Sequence, residues 1–212
     1  MSAYAYPKAL HSRRQTPPQF GDYRRYKPYL QREFDRVCVY CRTPDTVGRS
    51  PLFHVDHYRP KWLFEPLTTS YTNLFYCCAK CNVRKGRYWP HGPTASSPVI
   101  PNPCDSIMFT HMRFVGGVVE GRTPAGTFTV EKLDLNEPEV VKFRDATFRV
   151  IGLLKSRLAE IDTKLKKLRK KTRKGELTQC DSARAEAALL ALRVVPATDL
   201  QMWTGTLPLP PL

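Results

Sequence analysis

Two Cys-x-x-Cys pairs carry the strongest chemical signal in this 212-residue sequence. Cys38 and Cys41 form the first pair, and Cys78 and Cys81 form the second. Four thiolates suit a tetrahedral zinc ion, and paired cysteines in a reducing compartment indicate metal rather than disulfides. Cys77 directly precedes the second pair and is an alternative ligand, although the Cys-x-x-Cys spacing favours Cys78. The sequence therefore predicts a structural zinc knuckle.

The segment between the two pairs places Asp56 and His57 in a strand-like run that ends just before Pro60. Adjacent strand residues point to opposite faces, so both side chains can reach one phosphate only where the strand ends or turns. A carboxylate is a hard ligand for Mg²⁺, and a neutral imidazole is a suitable base for water. Asn73 follows, and Asn82 comes directly after the last cysteine of the knuckle. These residues indicate hydrolytic chemistry on a phosphate.

The order Asp-His, Asn, Cys-Asn-x-x-Lys resembles the HNH, or ββα-metal, nucleases over residues 38 to 90. The resemblance implies that Asp56 and Asn82 hold a catalytic Mg²⁺ or Mn²⁺, while the four cysteines hold structural zinc. It implies that His57 is the general base. It also implies that Asn73 orients His57 through its side-chain carbonyl.

Basic residues favour nucleic acid as the partner, because the chain has 34 Lys and Arg against 19 acidic residues and a formal net charge of +15. Arg84 and Lys85 either contact phosphate or form a solvated basic face, and both interpretations remain open. Eight of the eleven residues from Lys164 to Lys174 are basic. We expect this helix end to bind phosphate rather than only solvent, through Lys166, Lys167, Lys170 and Lys171. No base-reading motif is evident, so we expect low sequence specificity.

A second, looser resemblance covers more of the chain. Besides the motif above it involves Asn102-Pro103-Cys104, the Thr123–Thr127 turn, and Leu133–Asn136 followed by Arg144. Together these residues resemble the HNH subunit of Septu-type antiphage systems, including those attached to retrons. The resemblance implies an effector that works beside an ATPase partner subunit.

Three functions are compatible with these patterns. The first is a metal-dependent endonuclease that hydrolyses DNA in antiphage defence. The second is the same chemistry directed at RNA such as tRNA. The third is a non-catalytic zinc-knuckle module that binds nucleic acid, which would not need the Asp, His and Asn residues in register.

The elements around the motif predict an α+β fold, with a ββα-metal HNH core and zinc knuckle, a small β meander and a C-terminal helical hairpin. A three-stranded meander is expected from Ile107 to Leu133, and Asn136 with Pro138 is expected to start a long helix. Its partner helix is expected over Ser182–Val195, ending before Pro196. We divide the chain into an N-terminal arm and helix (1–36), the nuclease core (37–90), a loop and meander (91–136), and the hairpin and tail (137–212).

The sequence has no apolar run near the roughly 20 residues that a membrane helix needs, and its first residues do not form a secretory signal. We therefore expect a cytoplasmic protein with no membrane partner.

Overall fold

The computed structural model of the protein describes residues 3–13, 16–48, 52–90, 98–209 and 211. It confirms the α+β class, with helices and small antiparallel strand pairs. In chain order the elements are α1 (Lys27–Glu33), α2 (Asp45–Gly48), β1 (Phe53–His57), β2 (Leu74–Cys78), α3 (Ala79–Lys85), α4 (Met108–His111), β3 (Met112–Val115), β4 (Val118–Gly121), α5 (Pro124–Lys132), α6 (Pro138–Arg173) and α7 (Gln179–Thr204).

The first strand pair and the helix after it form a ββα unit. β1 and β2 are antiparallel, and the register runs from Phe53 opposite Cys78 to His57 opposite Leu74. The first four residues of β2 are fully buried, because one side of the strand pair packs against α1. Phe34, just after α1, contacts Phe75 edge to face with ring centroids 5.6 Å apart. This packing fixes the end of β1, where the Asp-His pair lies.

The N-terminal arm is extended, as expected, but it lies against the body rather than in solvent. Tyr4 and Tyr6 are buried, and the Tyr6 hydroxyl donates to the Tyr40 carbonyl at 2.8 Å. Further along, the His11 amide donates to the Pro103 carbonyl at 2.8 Å. The arm therefore connects the cysteine-rich segment to the chain that follows the nuclease motif.

The predicted three-stranded meander is wrong in its third strand. β3 and β4 form an antiparallel hairpin, but the residues after it form α5. The Thr123 side chain accepts a hydrogen bond from the Gly126 amide, and Pro124 occupies the first turn. A capping threonine followed by proline starts a helix, and this local signal outweighs the β-branched and aromatic residues that suggested a strand.

The C-terminal hairpin of α6 and α7 is confirmed, with a turn at Gly175, whose φ is +73°. The cap of α6 differs from the prediction. The Asn136 side chain accepts a hydrogen bond from the Val119 amide in β4 and donates one to the Val119 carbonyl. Glu137 occupies the N-cap position instead. None of the helices in the described ranges combines the length and apolarity needed to span a bilayer.

The second helix is longer than predicted, because α7 starts at Gln179 and continues through Pro196 to Thr204. Proline removes one helical hydrogen bond, but the last turns of α7 are held by the body. The Thr46 hydroxyl donates to the Met202 carbonyl at 2.5 Å. Gly205 ends the helix at φ +73°, and a Cβ there would lie 2.7 Å from Pro44, so only glycine fits this position.

Candidate active site and zinc knuckle

The four predicted zinc ligands form one cluster. Their sulfur atoms all lie within 4.8 Å of one another, and the Sγ atoms of Cys41 and Cys78 are 3.7 Å apart. Zinc–sulfur bonds of about 2.3 Å in a tetrahedron require sulfur atoms about 3.8 Å apart, so the donor set and spacing fit a zinc ion. The cluster contains Cys78 and not Cys77. Both residues lie on β2, and neighbouring strand residues point to opposite faces, so the two sulfur atoms cannot both face the cluster.

The fold explains why these sulfurs meet. The first pair lies in the turn after α1, and the second pair spans the junction between β2 and α3. Cys78 is the N-cap residue of α3, and its sulfur accepts a hydrogen bond from the Cys81 amide. The Val39 amide donates to the Tyr76 carbonyl at 2.9 Å and holds the first pair beside β2. The knuckle therefore fixes the start of α3 relative to both strands.

Asp56 is buried at the end of β1, with 4% of its surface exposed. Its Oδ2 accepts a hydrogen bond from the Tyr40 hydroxyl at 2.6 Å, and its Oδ1 accepts one from Lys85 Nζ at 3.1 Å. Lys85 Nζ also donates to the His57 carbonyl at 2.6 Å. Lys85 therefore ties α3 to the end of β1 through two contacts.

These contacts exclude both interpretations of Lys85, as a phosphate contact and as part of a solvated basic face. With 2% of its surface exposed, its ammonium pairs with Asp56 and is not available to a nucleic-acid phosphate. The same contacts affect how Asp56 could bind a metal ion. A carboxylate and an amide are suitable ligands for a hard cation, but an ion at Asp56 would have to share the carboxylate with the Lys85 ammonium. The metal-binding roles of Asp56 and Asn82 stay predictions.

His57 is held by a single ring nitrogen. Its Nε2 lies 2.9 Å from the Thr68 carbonyl, and because a carbonyl only accepts, Nε2 carries the proton. In the neutral ring Nδ1 is then the basic nitrogen. The ring of Tyr23 contacts the imidazole edge to face, with centroids 4.6 Å apart. The half-buried imidazole is thus oriented from two sides.

Burial lowers the pKa of His57 below its ordinary value, and the positive charges of Lys61 and Lys85 lower it further. The hydrogen bond to Thr68 and the negative charge of Asp56 oppose this shift. A lowered pKa keeps the ring neutral at physiological pH, which is the form that can accept a proton. The geometry and the charge of the site both favour His57 as a base.

Asn73 is buried and works differently from the prediction. Its side-chain carbonyl accepts a hydrogen bond from the Arg59 amide at 2.9 Å rather than contacting His57. Its amide group donates to the carbonyls of Arg59 and Leu67. Asn73 therefore joins the backbone after β1 to the segment before Thr68, the residue that holds the His57 ring. It orients His57 indirectly, through the loop.

Asn82 and Arg84 lie on α3. Asn82 is half-buried, and it is one helical turn before Lys85, on the face that reaches β1. The Arg84 guanidinium binds the carboxylates of Asp134 and Glu137 and the backbone carbonyls of Leu133 and Asp134. Lys80 also pairs with Glu137. Arg84 therefore connects α3 to the start of α6, a role that neither interpretation of the sequence anticipated.

The predicted basic patch lies far from this site along α6, and Lys166, Lys167, Lys170 and Lys171 are all exposed. Their exposure is compatible with phosphate binding, which stays a prediction.

Two groups around the site escaped the sequence analysis. Tyr40 lies between the first two cysteines, and nothing in that motif indicates that its hydroxyl contacts Asp56. The Thr68 carbonyl belongs to the backbone, so its residue type carries no signal.

Comparison with known proteins assigns this region to a class. Residues 38–87 match the family model described as HNH endonuclease. The matched segment contains the cysteine cluster, β1, β2 and α3. The chain therefore contains an HNH endonuclease domain with a four-cysteine, zinc-type knuckle.

A particular relative extends the match beyond this domain. The chain is 28% identical over 115 residues to Septu protein PtuB from Bacillus thuringiensis. The aligned region covers 52% of this chain and 42% of the relative, so it spans less than half of that protein. No solved structure matches the chain.

Proposed function

We propose that this protein is an endonuclease that hydrolyses phosphodiester bonds in DNA as the nuclease effector of a bacterial antiphage system. The observation that carries the proposal is the His57 imidazole, whose Nε2 is fixed by the Thr68 carbonyl at the end of β1, inside an HNH domain. This arrangement leaves Nδ1 as the base that removes a proton from water.

In the proposed reaction, water attacks phosphorus while its proton passes to His57 Nδ1, and the bond from phosphorus to the leaving deoxyribose oxygen breaks. That oxygen keeps the bonding electron pair and takes a proton from solvent. The Thr68 carbonyl stabilises the imidazolium through Nε2–H. Asp56, Lys85 and Asn73 hold the loop and strand end that position the ring. A bound Mg²⁺ or Mn²⁺, with Asp56 and Asn82 as its ligands, would supply charge neutralisation at the phosphate.

The direct test is His57→Ala, which we expect to abolish cleavage of plasmid DNA while zinc content and thermal unfolding stay unchanged, because His57 is not a cluster ligand. His54→Ala is the matched control, since His54 lies exposed on the same strand. Assays with and without Mg²⁺, on plasmid and on total tRNA, separate the DNA proposal from the RNA alternative. Cleavage that persists in His57→Ala would refute His57 as the base. No cleavage of DNA or tRNA by the unaltered protein, with nucleic-acid binding unchanged in His57→Ala, would leave only the non-catalytic alternative.

The proposal includes a partner subunit, for which the resemblance to Septu-type systems suggests an ATPase. The similarity to PtuB and the outward face of α7 support a complex. Leu190 and Val194 are one helical turn apart and 45% and 61% exposed, and Leu192 and Val195 form a second exposed pair at 56% and 66%. Arg193 is turned toward Asp162 on α6, so its charge does not interrupt the apolar surface. Exposed apolar surface of this kind marks protein interfaces.

Co-expression with the ATPase subunit of a Septu-type system tests the complex. Leu192→Asp with Val195→Asp should prevent co-purification of the two proteins, whereas the hairpin should keep its helical circular dichroism. Co-purification that is unchanged in this variant would exclude the α7 face as the contact.

A further inference from the structure

A tryptophan beside the site is exposed although its position is fixed. Trp62 lies five residues after His57, and 47% of its surface is exposed. The amides of Leu63 and Phe64 both donate to the Pro60 carbonyl at 3.0 Å, which closes a tight turn around Trp62. The indole Nε1 donates to the Arg87 carbonyl at 3.2 Å, so the ring is anchored to the end of α3. Its exposure is therefore a feature of the folded site and not of a frayed loop.

The surroundings of Trp62 are basic. Arg59, Lys61 and Arg87 are exposed around it, and Glu65 is the acidic residue of the same loop. The neighbouring Leu63 is exposed to a similar extent, at 45%, but has no ring to stack on a base. An aromatic face among cationic side chains is the combination that binds single-stranded nucleic acid, because the ring stacks on a base while the cations contact the backbone.

The loop that carries Trp62 follows the proposed base, His57, in the chain and contacts the same tyrosine. Lys61 Nζ lies 5.6 Å from the centroid of the Tyr23 ring, and Tyr23 in turn contacts the His57 imidazole. Trp62 follows Lys61 directly in the chain. Five residues of chain span at most about 18 Å, so Trp62 lies within a few nucleotides of a phosphate bound at His57.

We infer that Trp62 forms a base-stacking subsite, in which an unpaired base next to the cleaved phosphate stacks on the indole while Lys61 and Arg87 contact the flanking phosphates. The inference rests on the proposed nuclease function and adds a substrate class, namely nucleic acid that is single-stranded or locally unpaired at the cleavage point. A paired base in a regular duplex has its faces covered by its neighbours and cannot occupy this subsite.

The test measures binding of a fluorescent 12-nucleotide single strand, as DNA and as RNA, and of the matching DNA duplex, without added Mg²⁺. Trp62→Ala should weaken single-strand binding about tenfold to a hundredfold, and duplex binding less than about twofold. Trp62→Phe should recover most of the affinity, because it restores an aromatic face. Leu63→Ala is the matched control, since it removes exposed apolar surface but no ring, and it should bind like the unaltered protein.

Unchanged single-strand affinity in Trp62→Ala would overturn the inference, and so would an equal loss for single strand and duplex. A loss confined to the DNA or to the RNA strand would support the subsite and name its substrate. Hydrolysis of methyl p-nitrophenyl phosphate, a diester without a base, separates this test from the proposed function. Trp62→Ala should leave that reaction unchanged, whereas its persistence in His57→Ala would refute the nuclease mechanism alone.

Discussion

His57 is the residue on which the proposed chemistry depends, and its surroundings determine the pH at which it can work. The burial of the ring and the charges of Lys61 and Lys85 lower its pKa, so the neutral form persists below pH 6.5, the ordinary value for histidine. The Thr68 carbonyl assigns the proton to Nε2 and leaves Nδ1 to accept another. The base is therefore available throughout the neutral range.

The pH dependence of the reaction follows from this shift. The rate should be constant from neutral pH to below pH 6.5, and it should fall only as His57 becomes protonated at its lowered pKa. Lys61→Ala removes a positive charge that lowers this pKa, so the acidic limb should move to higher pH. Profiles of kcat/KM against pH, measured with methyl p-nitrophenyl phosphate, would locate the acidic limb in the unaltered protein and in Lys61→Ala. A limb centred above pH 6.5 in the unaltered protein would contradict the assignment.

At the scale of elements, the cysteine cluster holds two strands and a helix together. Because the cluster joins the turn after α1 to the β2–α3 junction, losing one ligand should release the start of α3. Cys81→Ser should therefore give unfolded or insoluble protein, since structural zinc contributes directly to folding. Cys180→Ser, at an exposed cysteine outside the cluster, is the control and should keep one zinc per chain. A soluble, active Cys81→Ser protein would refute the zinc assignment.

The docking of the N-terminal arm depends on a buried carboxylate. Glu33 is fully buried at the end of α1, where burial would raise its pKa, but hydrogen bonds from His11, Arg13 and Tyr71 lower it to about 2. A pKa below the unfolded value means that Glu33 stabilises the fold above about pH 4.5. This contribution is lost as the pH falls toward 2, and it amounts to about 3 kcal/mol.

Glu33→Gln should accordingly lower the free energy of unfolding by about 2–3 kcal/mol at neutral pH, and the difference from the unaltered protein should narrow between pH 4.5 and 2. Urea denaturation at several pH values would measure it. Glu139→Gln, which alters an exposed pair with Lys142, should change stability by less than about 0.5 kcal/mol. A pH-independent difference for Glu33→Gln would mean that packing, not charge, carries the effect.

Elements specified by local sequence patterns could be predicted, whereas those decided by a cap or by tertiary contacts could not. The Cys-x-x-Cys pairs and the apolar residues at heptad spacing from Ile151 to Leu168 are dense local patterns, and they predicted the knuckle and the hairpin correctly. The third strand of the meander failed because the Thr123 cap decided the local structure, and Pro196 did not end α7 because the helix end is held by tertiary contacts. Lys85 was misassigned because its partner Asp56 lies 29 residues away in the chain, where no spacing rule applies.

At the scale of the whole molecule, the hairpin separates the basic patch from the proposed site. Glu137, the N-cap residue of α6, binds Arg84 and Lys80 on α3 through its carboxylate, so the base of the hairpin lies beside the HNH domain. Lys166 comes 28 residues after Pro138, which corresponds to about 42 Å along a helix. Since stacked base pairs rise about 3.4 Å each, a duplex of roughly a dozen pairs is needed to reach from the domain to the patch.

This geometry predicts that the patch matters for long substrates only. Replacing Lys166, Lys167, Lys170 and Lys171 by Gln should weaken binding of a 40-base-pair duplex and reduce the slope of log K against log salt by up to about 3.6, which is 0.9 for each of four phosphate contacts. Binding of a six-nucleotide strand should not change, because it cannot span the distance. Lys142→Gln with Lys155→Gln, at the base and in the middle of the same helix, controls for the loss of two charges outside the patch. If short and long substrates weaken equally, the lysines act through the general field of the +15 chain, and the hairpin does not extend the binding site.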